Sequence, residues 1–482
     1  MIIDDRNYSV IPRLIPTNFE EFIIDKEDVI DADMLEAFIM KHKSMVKSRF
    51  EPLLAMYQGQ HEVLYQADKP LNKPDNRIVM NFAKYIVDTL NGYFLGIPIK
   101  INHDDEEFTE KLVDVADFNN LDDEQYELAK DMSIFGVGYE MLYMDEDARE
   151  NIMHLNPLEC FVIRDNSIRK RIKYGVHYYT DQYGNLKGTF SDDKKIYYFR
   201  QGEKGLIIYE EFDHHFGACP IIEYRETEEC QSAFESVYTL INQVDKVISE
   251  KANDVDYFAD AYLKVIGVEL DDDQVKFLKE NRVWNLFKRT SEVDSTQPDV
   301  GFLSKPDADQ TQENLLDRLE EKIYQLSMVP NLSDENFGTS SGIALSYKLQ
   351  GLDNLCKAKE RKFTAGLNTR YKMLCNLPTW SDKEAYKGTS YQFTRNAPKN
   401  VLEEAQVVNS LNGLVSQETA LSYLSIVDNA KEEIEKMKEE DEFDTDIPHD
   451  HGDDWSMIDV YNKQGLLEAE RVSKPAEVEA KR

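Results

Sequence analysis

The sequence predicts a mixed α+β chain of several domains: an α/β lobe, two narrow helices flanking a small insertion, one long helix and a helical end. Three observations lead there. A length of 482 residues corresponds to roughly three domains at about 150 residues each. Helical spacing gives way to short strand-like runs between Tyr139 and Glu226, then returns for most of the remaining chain. Charged residues make up 31% of the chain against a typical ~25%, more polar surface than one globule needs.

Residues 1–19 read as an extended arm punctuated by Pro12 and Pro16, and a helix is expected near Asp31–Ser48. In RIVMNFAKYIVDTLNGYFLG, Ile78, Phe82, Ile86 and Leu90 fall four apart with Val79, Ala83 and Val87 beside them. That is a wide helical stripe, which Gly92 or Gly96 can end. IPIKI is strand-like, and a second helix is predicted over Asp122–Phe135, stopped by Gly136 and Gly138. YEMLYM, CFVIRD, YGVHYYT, KIYYFR, GLIIYEEF and CPIIEY then read as strands, with DQYGNLKG and RQGEKG as hairpin turns.

Residues 231–256 revert to helix, where Phe234, Val237, Ile241, Val244 and Ile248 form a thin seam rather than a wide core face. The insertion 257–305 contains strand-like AYLKVIGVEL, a short helix after Asp271, then VWNLF and VGFL. A second seam, Leu316, Leu319, Ile323 and Leu326, lies in the helix 306–329, which Pro330 ends. NLSDENFGTSSG is turn chemistry throughout. The long helix 343–376 puts Leu345, Leu349, Leu352, Cys356, Phe363, Leu367 and Leu374 on one side, and its Gly351 and Gly366 permit bends. Helices at Asn400–Leu411 and Ser416–Ser425 follow a turn-rich stretch. Lys431–Asp454 holds 12 acids and 3 bases, so 431–482 suits a solvated, partly disordered tail.

The net charge of −36 argues against a sequence-reading DNA protein and against a polybasic membrane-surface role, both of which draw affinity from Lys and Arg. Five scattered cysteines (Cys160, Cys219, Cys230, Cys356, Cys375) form no CxxC pair, which disfavours a disulfide framework or a thiolate zinc site. MIIDDRNYSV carries no secretory pattern, and Ile78–Ile99 is interrupted by Asn81, Lys84, Asp88 and Asn91. The expectation is a soluble protein of a reducing cytoplasm.

No glycine-rich phosphate cradle of either common type is present, so any ATP-driven process would draw on another protein's ATPase. Gly338-Thr339-Ser340-Ser341-Gly342 matches the nucleophile-elbow spacing, but polar SDENF precedes it instead of a strand, which favours a loop and helix cap. His449, His451, Asp453 and Asp454 have metal-ligating side chains in an acidic tail with nothing apolar to fix a geometry. Asp213-His214-His215 lacks a second carboxylate. Asp271-Asp272-Asp273 suits a helix start, without the glycine and spacing of a calcium loop. Tyr178, Tyr179, Tyr197, Tyr198, Phe199 and Tyr209 fit cross-strand pairs better than a base-stacking platform, which would interleave basic residues. No catalytic residue, metal or cofactor is expected.

What remains is an order of parts, and that order resembles the portal proteins of tailed bacteriophages, in the family found in long-tailed phages of Gram-positive bacteria. RIVMNFAKYIVDTLNGYFLGIPI, ACPIIEYRE and above all VPNLSDENFGTSSGIALSYKL carry the similarity, which covers about residues 20 to 430. The resemblance implies a ring, usually of twelve subunits, at one capsid vertex, through which double-stranded DNA passes. It implies a wing at 20–230, stem helices at 231–256 and 306–329, a clip at 257–305, a tunnel loop at 330–342, a long wing helix at 343–376 and a crown at 377–430. Its implied partners are further copies of the chain, double-stranded DNA bound without sequence preference, the terminase large subunit, a head-to-tail adaptor, and the capsid and scaffolding proteins, with no membrane.

Asn331, Ser333, Asp334, Glu335, Asn336, Phe337 and Thr339 are the residues the resemblance places in the channel; Phe337 serves either as a wedge at the DNA groove or as the loop's anchor. Asp271, Asp272, Asp273 and Trp284 are the clip residues it offers to partners. An acidic wall suits a channel, because strong phosphate binding would hold the duplex in place. The competing readings are an oligomeric coiled-coil adaptor with no nucleic-acid role and, behind it, a hydrolase; mass in solution separates a ring from a dimer or trimer.

Overall fold

The computed structural model describes residues 15–70, 73–259, 263–266, 299–302, 309–333, 342–380, 382–396, 401–411 and 413–424, then 426–427, 430, 433–434 and 436–438. Two units divide the chain, Met1–Ala397 and Pro398–Arg482. The first opens with β1 (Phe22–Ile24) and α1 (Ala32–Met45). Asp31 caps α1 by accepting the Met34 N–H at 2.8 Å. The helix buries Leu35, Ile39, His42 and Met45 and continues through a π turn at Val46–Phe50 into α2 (Glu51–Tyr57).

The next helix, α3 (Phe82–Leu95), starts four residues later than its apolar stripe predicts, with Asn81 as the cap. The cause is tertiary. The backbone N–H groups of Asn76, Ile78 and Met80 are held by the side chains of Asn253, Ser249 and Asp245 at 2.6, 2.9 and 2.7 Å. Residues 76–80 therefore lie extended as a strap, and winding them into helix would break all three bonds. Gly96, rather than Gly92, is the C-cap.

After β2 (Lys100–Asn102) comes α4 (Glu106–Phe118), a helix the sequence reading passes over. Its apolar line is only Phe108, Leu112 and Val115, and Asp105 caps it. The Asp122–Phe135 helix is found as α5 (Leu121–Phe135). Gly136 ends it at φ +84°, where a Cβ would lie 2.0 Å from the Cys230 carbonyl oxygen.

Strands then follow in the predicted region: β3 (Val137–Met144), β4 (Glu150–Leu155), β5 (Cys160–Asp165), β6 (Ile172–Thr180), β7 (Leu186–Ser191), β8 (Lys195–Gly202), β9 (Gly205–Asp213) and β10 (Ile221–Arg225). They build a six-stranded sheet, β1-β5-β6-β7-β8-β9, antiparallel except for β1 against β5, and a three-stranded sheet, β10-β3-β4. Both expected hairpins form, closed by Thr180 opposite Leu186 and Gly202 opposite Gly205. Alternate residues Tyr174, Val176, Tyr178, Phe190 and Phe199 are buried. On that face the His42 ring stacks on Phe161 at 4.6 Å and shares a 2.8 Å hydrogen bond between Nδ1 and the Tyr178 hydroxyl. Burial pushes His42 down to about 3, against a weaker opposing pull from the Pro157 backbone carbonyl as acceptor, so the ring is neutral near pH 7. The aromatic residues of β7–β9 pair with one another: Phe190 stacks on Tyr197 at 4.6 Å, and Tyr198 meets Phe212 edge-on at 5.8 Å.

The seam residues Phe234, Val237, Ile241 and Val244, leading into and along α6 (Tyr238–Ala259), are buried inside this chain, so this seam is filled by the chain itself. One neighbour is α7 (Asp309–Ser327), which buries Leu316 and Ile323. The expected fourth seam position is corrected, since Leu326 is 54% exposed and the buried line passes to Ser327. Late in α6, Lys251 pairs with Glu313 and Asp254 accepts from Gln312, both early in α7, while the turn before α6 packs against α7 as well; the two helices run antiparallel. Within the insertion, β11 (Leu263–Ile266) pairs antiparallel with β12 (Asp299–Phe302).

The long helix is α8 (Gly342–Leu374), 33 residues and helical through both glycines. Gly366 serves packing rather than bending: a Cβ there would lie 2.0 Å from the Tyr224 ring. On the same face Lys359 donates to Ala129 O at 2.7 Å and Ser133 Oγ at 2.6 Å and pairs with Glu226 at 2.7 Å. Three turns on, Arg370 forms a two-pronged pair with Glu140, which also accepts from the Tyr224 hydroxyl. Desolvation works against the Arg370 charge, but Glu140 outweighs it and holds the guanidinium well above its ordinary value. A short strand, β13 (Ser390–Gln392), pairs with β2. The second unit contains α9 (Val401–Leu411) and α10 (Gln417–Leu421), the latter shorter than expected and capped by Ser416. All five cysteines are buried and free. Among the described residues no helix is long and apolar enough to cross a membrane.

Candidate functional site

The site singled out from sequence is the turn chemistry between α7 and α8, and its root is well defined. α7 ends at Ser327, and Met328 adopts the left-handed region at φ +58°, turning the chain out of the helix. Val329 is buried beneath that turn. Pro330 lacks an N–H to continue a helical ladder. Asn331 then closes a small turn, its Oδ1 accepting the Ser333 N–H at 3.0 Å.

Two of the residues singled out from sequence, Asn331 and Ser333, thus sit together at this root. Asp334, Glu335, Asn336, Phe337 and Thr339 lie outside the described residues, as do the proposed cap serines Ser340 and Ser341. Asp271, Asp272, Asp273 and Trp284 lie outside them too, as do His449, His451, Asp453 and Asp454. Asp213-His214-His215 is accounted for structurally: His214 Nε2 donates to the Asp192 carbonyl at 3.0 Å, and burial lowers its proton affinity.

Sequence reading missed what holds the root in place. The Tyr85 hydroxyl of α3 donates to the Pro330 carbonyl at 2.8 Å and accepts the Leu332 N–H at 2.9 Å, bracketing Asn331. Tyr324, in the last turn of α7, meets Phe82 and Tyr85 edge-on, each at 5.8 Å. Just ahead of Tyr85, the strap 76–80 is bonded along α6. Its support extends to His61, buried with Asp245, whose Nδ1 lies 2.5 Å from Asp245 Oδ2 and whose Nε2 donates to the Met56 carbonyl at 2.9 Å. The fit is geometric. Alternate amides of an extended chain recur about every 6.6 Å, and side chains four apart on a helix about every 6 Å. Asp245, Ser249 and Asn253 at that spacing were the readable signal of a polar line beside the apolar seam.

Chemically, the root offers hydroxyl, amide and backbone groups and no cation: 331–342 contains Asp334 and Glu335 but neither Lys nor Arg. It suits weak steric contact rather than tight anion binding. Among the described residues no group of three His, Cys, Asp or Glu side chains is placed to hold a metal ion.

The phage portal protein family described as SPP1 Gp6-like matches residues 36–446. A relative named Portal protein, from Clostridium phage phiCD119, is 24% identical over 395 residues, 77% of this chain and 86% of its own length. Another Portal protein, from Bacillus phage SPP1, is 24% identical over 406 residues, 76% of each chain. A solved structure titled "Neck of empty GTA particle computed with C6 symmetry" aligns at a TM-score of 0.41 and 12% identity, covering 70% of this chain and 89% of that one.

Proposed function

The chain belongs to the SPP1 Gp6-like family of phage portal proteins, structural components of the virion at the capsid, and from that premise we propose that it forms the DNA-conducting ring of one capsid vertex. Double-stranded DNA would enter through this ring, driven by a separate terminase ATPase, and leave through it at ejection. The observation that carries the reading is the family match across 36–446, which spans both helices flanking the insertion, the loop between α7 and α8, and the long helix.

Within that reading 20–230 is the wing, 231–256 and 306–329 are the stem, 257–305 is the clip, 330–342 is the tunnel loop, 343–376 is the long wing helix and 377–430 is the crown. The clip is the docking surface for the terminase and later for the head-to-tail adaptor. The tail from 431 is dispensable for assembly, because its charge leaves it little to bury. The charge balance supports the channel reading: an acidic chain whose loop holds no cation repels phosphate and lets the duplex slide.

The test is to reverse that charge. An Asp334→Lys, Glu335→Lys variant should assemble rings of about a dozen chains, seen by mass and by axial views of particles, yet package DNA more slowly. The defect should be largest at low salt, where phosphate attraction is least screened. Normal packaging at both low and high salt would remove the loop from the DNA path. A wild-type protein that stays dimeric or trimeric would remove the ring itself.

A further inference from the structure

We propose that Tyr85 is the positioning residue that fixes where the chain leaves the stem at Pro330–Ser333, an assignment that deepens the channel-loop reading and rests on it for its functional consequence. One phenolic oxygen closes a ring of contacts across three residues. It donates to Pro330 O and accepts from Leu332 N–H, so the direction in which the chain departs is set by a side chain nearly 250 positions earlier. No other described side chain bonds both of these backbone groups. The aromatic ring has a separate task, packing against Tyr324 beside Phe82. Hydroxyl and ring can therefore be separated by mutation.

The segment that carries Tyr85 is itself tied down. Residues 76–80 are bonded to Asn253, Ser249 and Asp245 of α6, and four residues after Asn81 caps α3 the hydroxyl reaches the end of α7. Strap and hydroxyl together make 76–85 one yoke between the first stem helix, the second stem helix and the root of the loop. With the hydroxyl gone, Pro330 O and Leu332 N–H lose their fixed partner and turn to water, while α3 keeps its apolar packing.

The experiment is Tyr85→Phe in the full-length assembled protein, with Tyr57→Phe as the control. The Tyr57 hydroxyl also bonds to α3, but it donates to Asp88, at 2.9 Å, and not to Pro330 or Leu332. Amide hydrogen exchange at Leu332 should accelerate about tenfold in Tyr85→Phe, the scale of one lost hydrogen bond. Exchange at Ile86 and Leu90 should not change, which separates positioning from general destabilisation, and Tyr57→Phe should leave Leu332 unchanged. DNA packaging by the Tyr85→Phe ring should slow at least twofold. Unchanged exchange at Leu332, or equal acceleration at Ile86 and Leu90, overturns the positioning role whatever the packaging rate. Faster exchange at Leu332 alone with normal packaging leaves Tyr85 as the anchor and overturns the channel reading instead.

Discussion

From Lys359 onward α8 is fastened to the sheet β10-β3-β4 and to α5 by charges that do not meet solvent, whereas between Ser346 and Gln350 most of the same helix faces water. Lys359 and Arg370 are at most 1% exposed, and Tyr347 is 73% exposed. Propensity does not separate the two stretches, since both continue one helix. Their partners do. Phe363, Leu367 and Leu374 fill the same face as the two buried cations, and Gly366 brings that face to van der Waals range of Tyr224. Near its start the helix has Leu349 and Leu352 buried and Gly351 set against the Met328 carbonyl, a narrower contact. The helix is thus fixed firmly at its far end and more lightly near its start.

The far half of α8 is loosened most severely at Arg370. Arg370→Met leaves Glu140 buried without its partner and should cost about 3–5 kcal/mol of local stability. Amide exchange across Lys359–Leu374 is the measurement, and adding Glu140→Leu should recover part of the loss. A single-variant cost below about 1 kcal/mol would mean that the pair is not what fastens this half.

Gly366→Ala comes next, at about 1–3 kcal/mol, because its methyl group would overlap Tyr224 and the helix must lift from the sheet. The same exchange profile reports it, and Gly366→Ala with Tyr224→Leu should relieve it. Lys357→Ala removes an exposed pair with Asp353, an i,i+4 contact at 2.6 Å. It should cost about 0.3–0.5 kcal/mol and vanish in high salt, unlike the buried pairs. Smallest is Tyr347→Ser, within about 0.5 kcal/mol of neutral by the same measurement. A large loss there would show that the solvent-facing half is covered in the folded protein.

The strands and their two hairpins were legible because an antiparallel sheet writes its pattern locally: Tyr174, Val176 and Tyr178 alternate, and Asp181–Asn185 supplies its own turn bonds. The order of parts, and through it the family, was legible for the same reason, since each apolar stripe or turn cluster sits inside a short window. Asn331 and Ser333 announced a turn by composition. Tyr85 did not announce its role, because nothing near it in sequence shows that its hydroxyl ends beside Pro330. The start of α3 was misjudged at Ile78 although its periodicity was correct, since three distant side chains outbid the helix for the strap's amides. Leu326 fits the seam by spacing yet faces solvent, because the line along which two helices touch drifts from any fixed heptad. Sequence alone determined which faces are apolar, where the chain turns and which residues carry charge. The tertiary structure decided which buried polar groups meet: Arg370 with Glu140, Lys359 with Glu226, Asp245 with Met80 and His61, Tyr85 with the root of the loop. Apolar burial is non-directional and needs only a pattern, whereas a hydrogen bond or ion pair needs two particular atoms within about 3 Å, and only the folded backbone brings them there.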